Sequence, residues 1–306
     1  MIVGILGGSG LYDLEGLSDV REHAVATPFG APSAPLIVGK VGIGKSDAVE
    51  LVFVPRHGRG HRLLPSEINY RANVHALKQL GATKVISVSA VGSLREGLVP
   101  GDLVVVDQFI DKTYRRESTF FGDGIVGHVG YADPVCGALA GALHAQALAH
   151  GFEAGVAEER SRTGTRGRTR RAHSGGTYVC MEGPQFSTRA ESLLHRSWGA
   201  DVIGMTAATE AKLCREAELC YASLALVTDY DCWHPDEEAV SASSIVEVLL
   251  ANVARAKEIV RAVLPRLASL PACACGSAAA HAIMTSPEAI PAAVRERLKV
   301  LYGRYL

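Results

Sequence analysis

Several features that would place the chain in a specialised class are scarce or absent. No stretch reaches the roughly 18 apolar residues of a membrane span, and the opening MIVGILGGSGLY has no basic flank before its short apolar run. The 31 lysine and arginine residues nearly balance 32 aspartate and glutamate residues, for a net charge of -1. This balance gives no positive field that would attract nucleic acid or a membrane. We therefore expect a soluble, cytoplasmic protein whose partners are small molecules.

Cysteine is also sparse. Seven cysteines in 306 residues are too few for a secreted disulfide scaffold. Cytosolic thiols are normally kept reduced, so free thiols are the expected state. The only unusual local pattern is CAC, at Cys273 and Cys275.

Short apolar runs alternate with helical patterns, as in a sheet covered by helices. The runs rich in Val and Ile are typical of strands buried on both faces. The runs are IVGIL, PLIVGKV, VELVFV, KVISVSAVG, DLVVVDQFI, TYVCME, ADVIGM and CYASLALVTD. The clearest helical segments are Asn69–Leu80, Asp133–His150, Thr188–Trp198, Thr209–Glu218 and Ser243–Leu267. We predict one α/β domain over residues 1–268 with a mostly parallel or mixed sheet, and a C-terminal extension at 269–306 with a short helix.

One segment, residues 158–176, departs from this alternation. It is dense in Arg, Gly, Ser and Thr and nearly lacks apolar side chains, so it cannot bury enough surface to fold by itself. We interpret it as a solvated, mobile insertion in a surface loop. The alternative is a basic arm for an anionic partner, in a protein that binds without catalysing.

Two glycine-rich segments are candidates for binding phosphate. The first strand runs into Gly7–Gly10, where a tight turn can present backbone N–H groups to an anion beside the Ser9 hydroxyl. Residues Gly39–Ser46 fit the pattern GxxxxGK[ST] of nucleotide triphosphatases. That motif needs a helix after it, whereas DAVELVFVP reads as a strand. A hairpin turn is therefore favoured, and a phosphate-binding module or triphosphatase using Gly39–Ser46 stays the alternative from another class.

A basic cluster follows the strand VELVFV. Arg56 can grip a phosphate through two hydrogen bonds, and His57 can add a donor. His57 and His61 have the four-residue spacing of a metal pair on a helix, but two intervening glycines disfavour a helix there. We expect no metal site. The position at the end of a strand, where α/β sheets bind ligands, favours a functional role.

Later strands also end in residues suited to a nucleoside. Ala90 lies among small residues that let a ligand approach the backbone, and Phe186 can stack on a flat ring. Asp229 and Asp231 directly follow the last strand. Two carboxylates at this spacing can reach one heteroaromatic ring, although loop aspartates that cap a helix are an equally good interpretation from local sequence alone.

Eight motifs, taken in order, resemble the methylthioadenosine phosphorylases of the trimeric purine nucleoside phosphorylase superfamily: GILGGSGLYD, TPFGAPSAPL, PRHGRGHR, INYRAN, SAVGSLREG, GDLVVVDQFID, MEGPQFSTRAES and TDYDCW. The likeness covers about Ile2 to Leu264. It implies a single α/β domain whose central mixed β-sheet is distorted and partly closed as a barrel, surrounded by helices. It also implies a homotrimer, or a hexamer, with active sites at subunit boundaries and a role in purine and methionine salvage.

The resemblance implies a site without a cofactor, in which inorganic phosphate is a co-substrate of the nucleoside. The family's phosphate ligands match Ser9, Arg56, His57, Ala90 through its backbone, and Thr206. Its sugar and base contacts match Met205, Phe186, Asp229 and Asp231. Its methylthio pocket matches Ile245 or Val246 as an apolar wall and His128 from a neighbouring subunit.

These residues suit phosphorolysis of methylthioadenosine to adenine and methylthioribose 1-phosphate. Negative charge moves onto the purine as the glycosidic bond breaks, so a protonated Asp229 is expected at N7, with Asp231 holding the 6-amino group or orienting Asp229. A phosphorylase for 6-oxopurine nucleosides or methylthioinosine is the nearer alternative. Related enzymes from heat-loving organisms also use cysteines at similar places, so structural disulfides among the following residues stay an alternative to free thiols: Cys136, Cys214, Cys220, Cys273 and Cys275.

Overall fold

The structure, a computed structural model, describes residues 1–8, 10–42, 48–155, 170–235 and 242–306, with the backbone only for 242–247 and 249. Its described part contains one large mixed sheet flanked by helices. The strands are β1 (Ile2–Gly7), β2 (Leu17–His23), β3 (Leu36–Gly42), β4 (Ala48–Pro55), β5 (Lys84–Ser93), β6 (Leu103–Val106), β7 (Gln108–Asp111), β8 (Glu153–Gly155), β9 (Arg171–Ser174), β10 (Thr177–Cys180), β11 (Val202–Gly204) and β12 (Cys220–Asp229). The predicted α/β fold with a mixed central sheet is confirmed, although the sheet is not strictly closed.

Four neighbouring strands decide where a ligand can bind. The sheet runs in the order β2-β3-β4-β1-β5-β12-β6-β9-β8, and the inner strands β4, β1, β5 and β12 are mutually parallel. Strand β11 adds an antiparallel partner to the end of β5, and β10 and β7 continue from it. Parallel strands end at the same edge of a sheet, so the segments after β1, β4 and β12 converge.

The helices follow the predicted segments to within a few residues. They are α1 (Tyr70–Gln79), α2 (Gly137–Ala149), α3 (Arg189–Ser197), α4 (Ala207–Glu216), α5 (Ala242–Val263) and α6 (Ala292–Tyr302). Local chemistry sets some of the starts: Thr188 and Glu191 form a capping box at α3, and the Asn69 side chain accepts the Ala72 amide at α1. None of the described helices is long and apolar enough to cross a bilayer.

The C-terminal extension packs on the main core of its own chain. Helix α6 buries Val294, Leu298, Leu301 and Tyr302 in the same apolar cluster as β1 and β4. Buried Glu218, just before β12, accepts hydrogen bonds from the Ala279 amide (3.0 Å) and the Tyr305 hydroxyl (2.7 Å). The chain after residue 268 therefore shares the core of the rest of the protein.

The arginine-rich segment differs in part from a surface loop. Its last residues form β9, which pairs in parallel with β6 and β8 and places His173 in the buried layer against Asp102 (3.1 Å). The Arg171 amide also donates to Asp102 (3.0 Å). Residues 156–169 lie outside the described part of the chain. The predicted loop is therefore too long at its C-terminal end, where neighbouring strands supply partners that the composition does not reveal.

Candidate active site

A cavity of about 520 Å³ opens at the carboxyl edge of the parallel strands. Apolar side chains such as Leu11 and Val253 form part of its wall. The cavity brings together residues from seven separate segments of the chain, among them these predicted site residues: Arg56, His57, Ala90, Phe186, Met205, Thr206, Asp229 and Asp231. A mostly apolar cavity with a few convergent polar groups is the usual form of a small-molecule site.

Arg56 supplies the positive charge of the cavity. It follows β4, is buried, and forms a two-point ion pair with Glu210 on α4 through Nε and Nη2. Burial alone would lower the pKa of Arg56, but the Glu210 carboxylate raises it above its usual value. One Nη1 hydrogen donates to the Val88 carbonyl (3.2 Å), which leaves the other free to reach an anion. Arg56 is therefore held in a fixed orientation before any ligand binds.

His57 is neutral near pH 7. Burial, and then the neighbouring Arg56 charge, lowers the pKa of His57 from 6.5 to about 4. Its Nδ1 faces the Leu63 carbonyl at 2.9 Å, so Nδ1 carries the hydrogen and Nε2 is an acceptor. The sequence predicts a donor at this position. The structure favours an acceptor for a protonated phosphate oxygen or a hydroxyl.

Further anion-binding groups come from β5 and α4. Thr206 is the buried N-cap of α4, and its side chain makes no capping hydrogen bond. The N-terminus of this helix offers a favourable dipole to an anion. Ser89, beside Ala90 in β5, has a buried Oγ without a partner among the described residues, and it lines the cavity. These groups line the same cavity as Arg56, and together they make this part of it suited to an anion.

The two aspartates, Asp229 and Asp231, supply the acidic groups of the cavity. Thr228 Oγ1 lies 2.7 Å from Asp229 Oδ2 and 3.2 Å from the Val91 carbonyl. The Asp231 amide donates to Asp229 Oδ1 (2.8 Å). Burial, with a smaller contribution from Asp231, raises the pKa of Asp229. When the Thr228 hydroxyl donates to Asp229 Oδ2, a proton on that carboxyl remains available to a ligand.

The Asp231 side chain offers a hydrogen-bond acceptor of its own. Its backbone takes the left-handed conformation (φ 52°), and its buried Oδ2 has no hydrogen-bond partner among the described residues. Gly92 permits this arrangement, because a Cβ there would lie 2.9 Å from Asp229 Oδ1 and 3.2 Å from Asp231 Cβ. The backbone of Asp231 thus orients Asp229 while its side chain stays available to a donor on a ligand.

Met205 and Phe186 form a further part of the cavity wall. Phe186 is half exposed at the mouth of the cavity. Met205 follows β11, and a Cβ on Gly183 would lie 2.6 Å from its sulfur. The buried Arg116 holds this wall: it donates to the carbonyls of Met205 and Glu182 and pairs with the Glu182 carboxylate (3.3 Å).

The described structure does not place every predicted site residue in this cavity. Ser9 and the side chains of Ile245 and Val246 lie outside the described part of the chain. His128 is exposed and does not line the cavity of its own chain. An exposed His128 could contact the cavity of a neighbouring subunit, and this role stays a prediction.

The triphosphatase alternative fails on its structural requirement. Gly39 lies inside β3, and the segment that follows Ser46 is strand β4, which pairs antiparallel with β3 up to Gly42 and Ala48. A phosphate-binding loop of that class needs a helix whose N-terminus faces the phosphates. Of this segment the structure describes residues 39–42 and Ala48, and none of these lines the cavity.

Sequence reasoning missed the residues that hold the site side chains in place. Glu210, Ser87 and Arg116 are buried next to Arg56 or Met205, but they lie in segments without a recognisable motif. Glu210 is 154 positions from Arg56, and only the charge of a carboxylate within an apolar helix face hinted at a buried role.

Comparisons with known proteins agree with this geometry. The sequence model of the Phosphorylase superfamily matches residues 2–265. The S-methyl-5'-thioadenosine phosphorylase of Koribacter versatilis is 53% identical over 99% of this chain and 96% of its own length. That of Geobacter sulfurreducens is 52% identical over 100% and 99%.

Solved structures show the same likeness. A methylthioadenosine phosphorylase from an Antarctic soil metagenomic library superposes with a TM-score of 0.87, at 45% identity and 98% coverage of both chains. A Schistosoma mansoni methylthioadenosine phosphorylase in complex with adenine gives a TM-score of 0.79, at 39% identity over 89% of this chain and 93% of its own. The chain therefore belongs to the phosphorylase superfamily and, within it, to the methylthioadenosine phosphorylase family.

Proposed function

We propose that the protein cleaves 5'-deoxy-5'-methylthioadenosine with inorganic phosphate, releasing adenine and 5-methylthioribose 1-phosphate. The observation that carries this proposal is the presence, in one cavity, of a fixed Arg56 beside anion-binding groups and of the carboxyl pair Asp229 and Asp231. A nucleoside phosphorylase needs both, because phosphate attacks one side of the glycosidic bond while the base leaves from the other.

The phosphate end serves positioning and electrostatics. Arg56, the Thr206 hydroxyl and the N-terminus of α4 hold the anion, and neutral His57 accepts a hydrogen bond from a protonated phosphate oxygen. Positive charge develops on the sugar as the glycosidic bond lengthens. The bound anion stabilises that charge and then attacks C1'.

The carboxyl end stabilises the leaving base. Negative charge moves onto the purine, and a protonated Asp229 donates to N7. Burial raises the pKa of Asp229 and so favours the protonated form that this role requires. The Thr228 hydroxyl and the Asp231 amide fix its two oxygens.

Selectivity at the purine 6-position comes from Asp231. Its unpartnered Oδ2 is an acceptor for a 6-amino group and repels a 6-oxo oxygen. A mismatched buried pair costs about 1 to 3 kcal/mol, so adenine nucleosides are favoured over 6-oxopurine nucleosides by a finite margin. Leu11 and Val253 provide apolar surface that suits a methylthio group better than a hydroxyl.

The deciding experiment is phosphate-dependent base release from methylthioadenosine, methylthioinosine, adenosine and inosine, measured side by side on the purified protein. Adenine released fastest from methylthioadenosine, and only with phosphate, is the expected result. A preference for inosine or methylthioinosine would keep the fold and overturn the role given to Asp231. No release from any of the four would reject the proposed activity.

We further propose that the protein acts in the cytoplasm in purine and methionine salvage, without a cofactor, as a homotrimer. The reaction supplies a free purine and a phosphorylated thiosugar, which suits both salvage routes. The exposed His128 supports the trimer, because a residue that lies outside its own cavity can complete that of a neighbour.

A further inference from the structure

Four cysteines meet at a place remote from the cavity. Cys136 precedes α2, Cys220 begins β12, and Cys273 and Cys275 lie in the C-terminal extension. All four sulfur atoms lie within 4.8 Å of one another, and the Cys220 and Cys273 sulfurs are 3.4 Å apart. Sequence spacing alone predicts no metal site here, because only the CAC pair is local.

The arrangement of the four sulfurs has the dimensions of a tetrahedral zinc site. Zinc binds thiolates at about 2.3 Å, which places the sulfurs of a tetrahedron about 3.8 Å apart. Cys136 and Cys275 are buried, Cys220 is half-buried and Cys273 is exposed, so an ion has an entry path. Closed four-cysteine sets of this kind are typical of structural rather than catalytic zinc.

The surroundings favour a cluster of negative charge. Cys136 is the N-cap residue of α2, and the dipole of a helix N-terminus stabilises a thiolate. The Arg215 guanidinium donates to the Cys275 sulfur at 3.9 Å. Four thiolates around one divalent cation leave two net negative charges, which these two features partly offset.

The alternative to a zinc site is a pair of disulfides between the same four cysteines. Each sulfur would bond one partner and stand apart from the other pair, whereas here each sulfur lies close to all three others. No disulfide joins any of the seven cysteines in the structure. We propose that Cys136, Cys220, Cys273 and Cys275 form a structural zinc site, which fastens the C-terminal extension to α2 and β12.

The site has a structural consequence beyond its own ligands. The segment after Cys275 pairs with the loop that carries His128, through a Gly127–Ile283 bridge and a hydrogen bond from the His128 amide to the Ala282 carbonyl (2.8 Å). Zinc binding therefore stabilises the extension and, through it, the His128 loop. None of the four cysteines lines the cavity.

The test compares the zinc content of the full-length protein with that of two variants, all produced in zinc-supplemented medium and desalted. The wild type should hold about one zinc per chain. Cys273→Ala/Cys275→Ala should hold less than about a tenth of that and melt at a lower temperature. Cys214→Ala removes a buried cysteine outside the cluster and should keep its zinc. Cobalt substituted into the wild type should give the charge-transfer absorption of a tetrathiolate site.

A second measurement needs no folded variant. Titrating the wild type with a mercurial should release zinc in proportion to the thiols modified, and unfolding in chelator without reductant should expose seven thiols. Absence of zinc from the wild type would overturn the proposal. So would three thiols without reductant, since the four clustered cysteines would then be disulfide-bonded.

Discussion

The proposed role of Asp229 depends on a single proton. Its carboxyl accepts the Asp231 amide, and burial raises its pKa above the usual range. The protonated form is therefore lost as pH rises through that raised pKa. We expect kcat/KM for methylthioadenosine to fall over the same range.

The matching substitution is Asp229→Asn, which keeps the shape but removes the transferable proton. We expect kcat to fall on the order of 10²- to 10⁴-fold, the usual contribution of a general acid, and the alkaline limb of the pH profile to disappear. Asp123→Asn, at an exposed position paired with Arg297, is the control and should leave both unchanged. If the pH profile of Asp229→Asn still has its alkaline limb, the titration behind that limb belongs to another group.

Glu216 provides a second titration, one that acts on stability. This buried carboxyl accepts the Phe120 amide (2.7 Å) and the Thr119 hydroxyl (2.8 Å), but burial outweighs both and raises its pKa from 4.5 to about 7. The folded state binds the proton more tightly than the unfolded state. Its stabilising contribution is thus complete below pH 4.5 and is lost as pH rises towards 7.

Comparison with Glu216→Gln isolates this contribution from that of other titrating groups. The free energy of unfolding of the wild type, relative to the variant, should decrease by up to about 3 kcal/mol between pH 4.5 and 7. Urea denaturation at several pH values measures the difference. A difference that does not vary with pH would show that the carboxyl titrates alike in the folded and unfolded states.

At the scale of elements, the junction between β4 and α4 is central. Arg56 follows the strand, Glu210 belongs to the helix, and the two form a buried ion pair that also fixes the ligand-binding guanidinium. Removal of one partner of a buried pair leaves an uncompensated charge.

Glu210→Gln should therefore lower the free energy of unfolding by about 3 to 5 kcal/mol and raise KM for phosphate, because Arg56 loses its orientation. Denaturant titration and phosphate-dependent kinetics measure the two effects. Asp19→Asn removes an exposed pair with Lys40 and should change stability by no more than about 1 kcal/mol. An unchanged KM for phosphate in Glu210→Gln would show that the Arg56–Glu210 ion pair is not needed for phosphate binding.

The arginine-rich segment calls for a milder change than deletion. Strand β9 begins at Arg171, so a deletion that reached it would remove pairing with β6 and β8. Replacing the four arginines at 160, 162, 166 and 168 with glutamine removes the charge and keeps the length. We expect unchanged kcat and KM; a large loss of activity would favour the basic-arm interpretation.

For the whole molecule, we expect assembly into a trimer in which subunits share their active sites. His128 is exposed and lies outside its own cavity, so in a trimer it would complete the cavity of a neighbour. His128→Ala should then raise KM for methylthioadenosine. Light scattering coupled to size exclusion checks the trimer itself.

Mixed assemblies test the exchange between subunits. Refolding His128→Ala with Asp229→Asn subunits should produce some sites with an intact Asp229 and a neighbour's intact His128, and so recover a fraction with the wild-type KM. Activity equal to the plain sum of the two variants would place His128 outside the neighbouring cavity.

The local features of this protein can be predicted from its sequence. Apolar runs and helical periodicities predict most strands and helices to within a few residues, because hydrophobic periodicity and capping act over short distances. The exposed β2 and the short β8 and β9 have no such run and were not predicted. Its ordered motifs also carry the resemblance to the family and point to Arg56, Asp229 and Asp231.

Contacts between distant segments are visible only in the folded protein. The Glu210 partner of Arg56, the role of Arg116 behind Met205, the strand within the arginine-rich segment and the four-cysteine cluster all depend on it. The parallel order of β4, β1, β5 and β12 brings separate strand ends to one edge, and packing of the C-terminal extension carries Cys273 and Cys275 to Cys136 and Cys220. Such contacts are set by strand order and packing between remote residues, which local patterns do not encode.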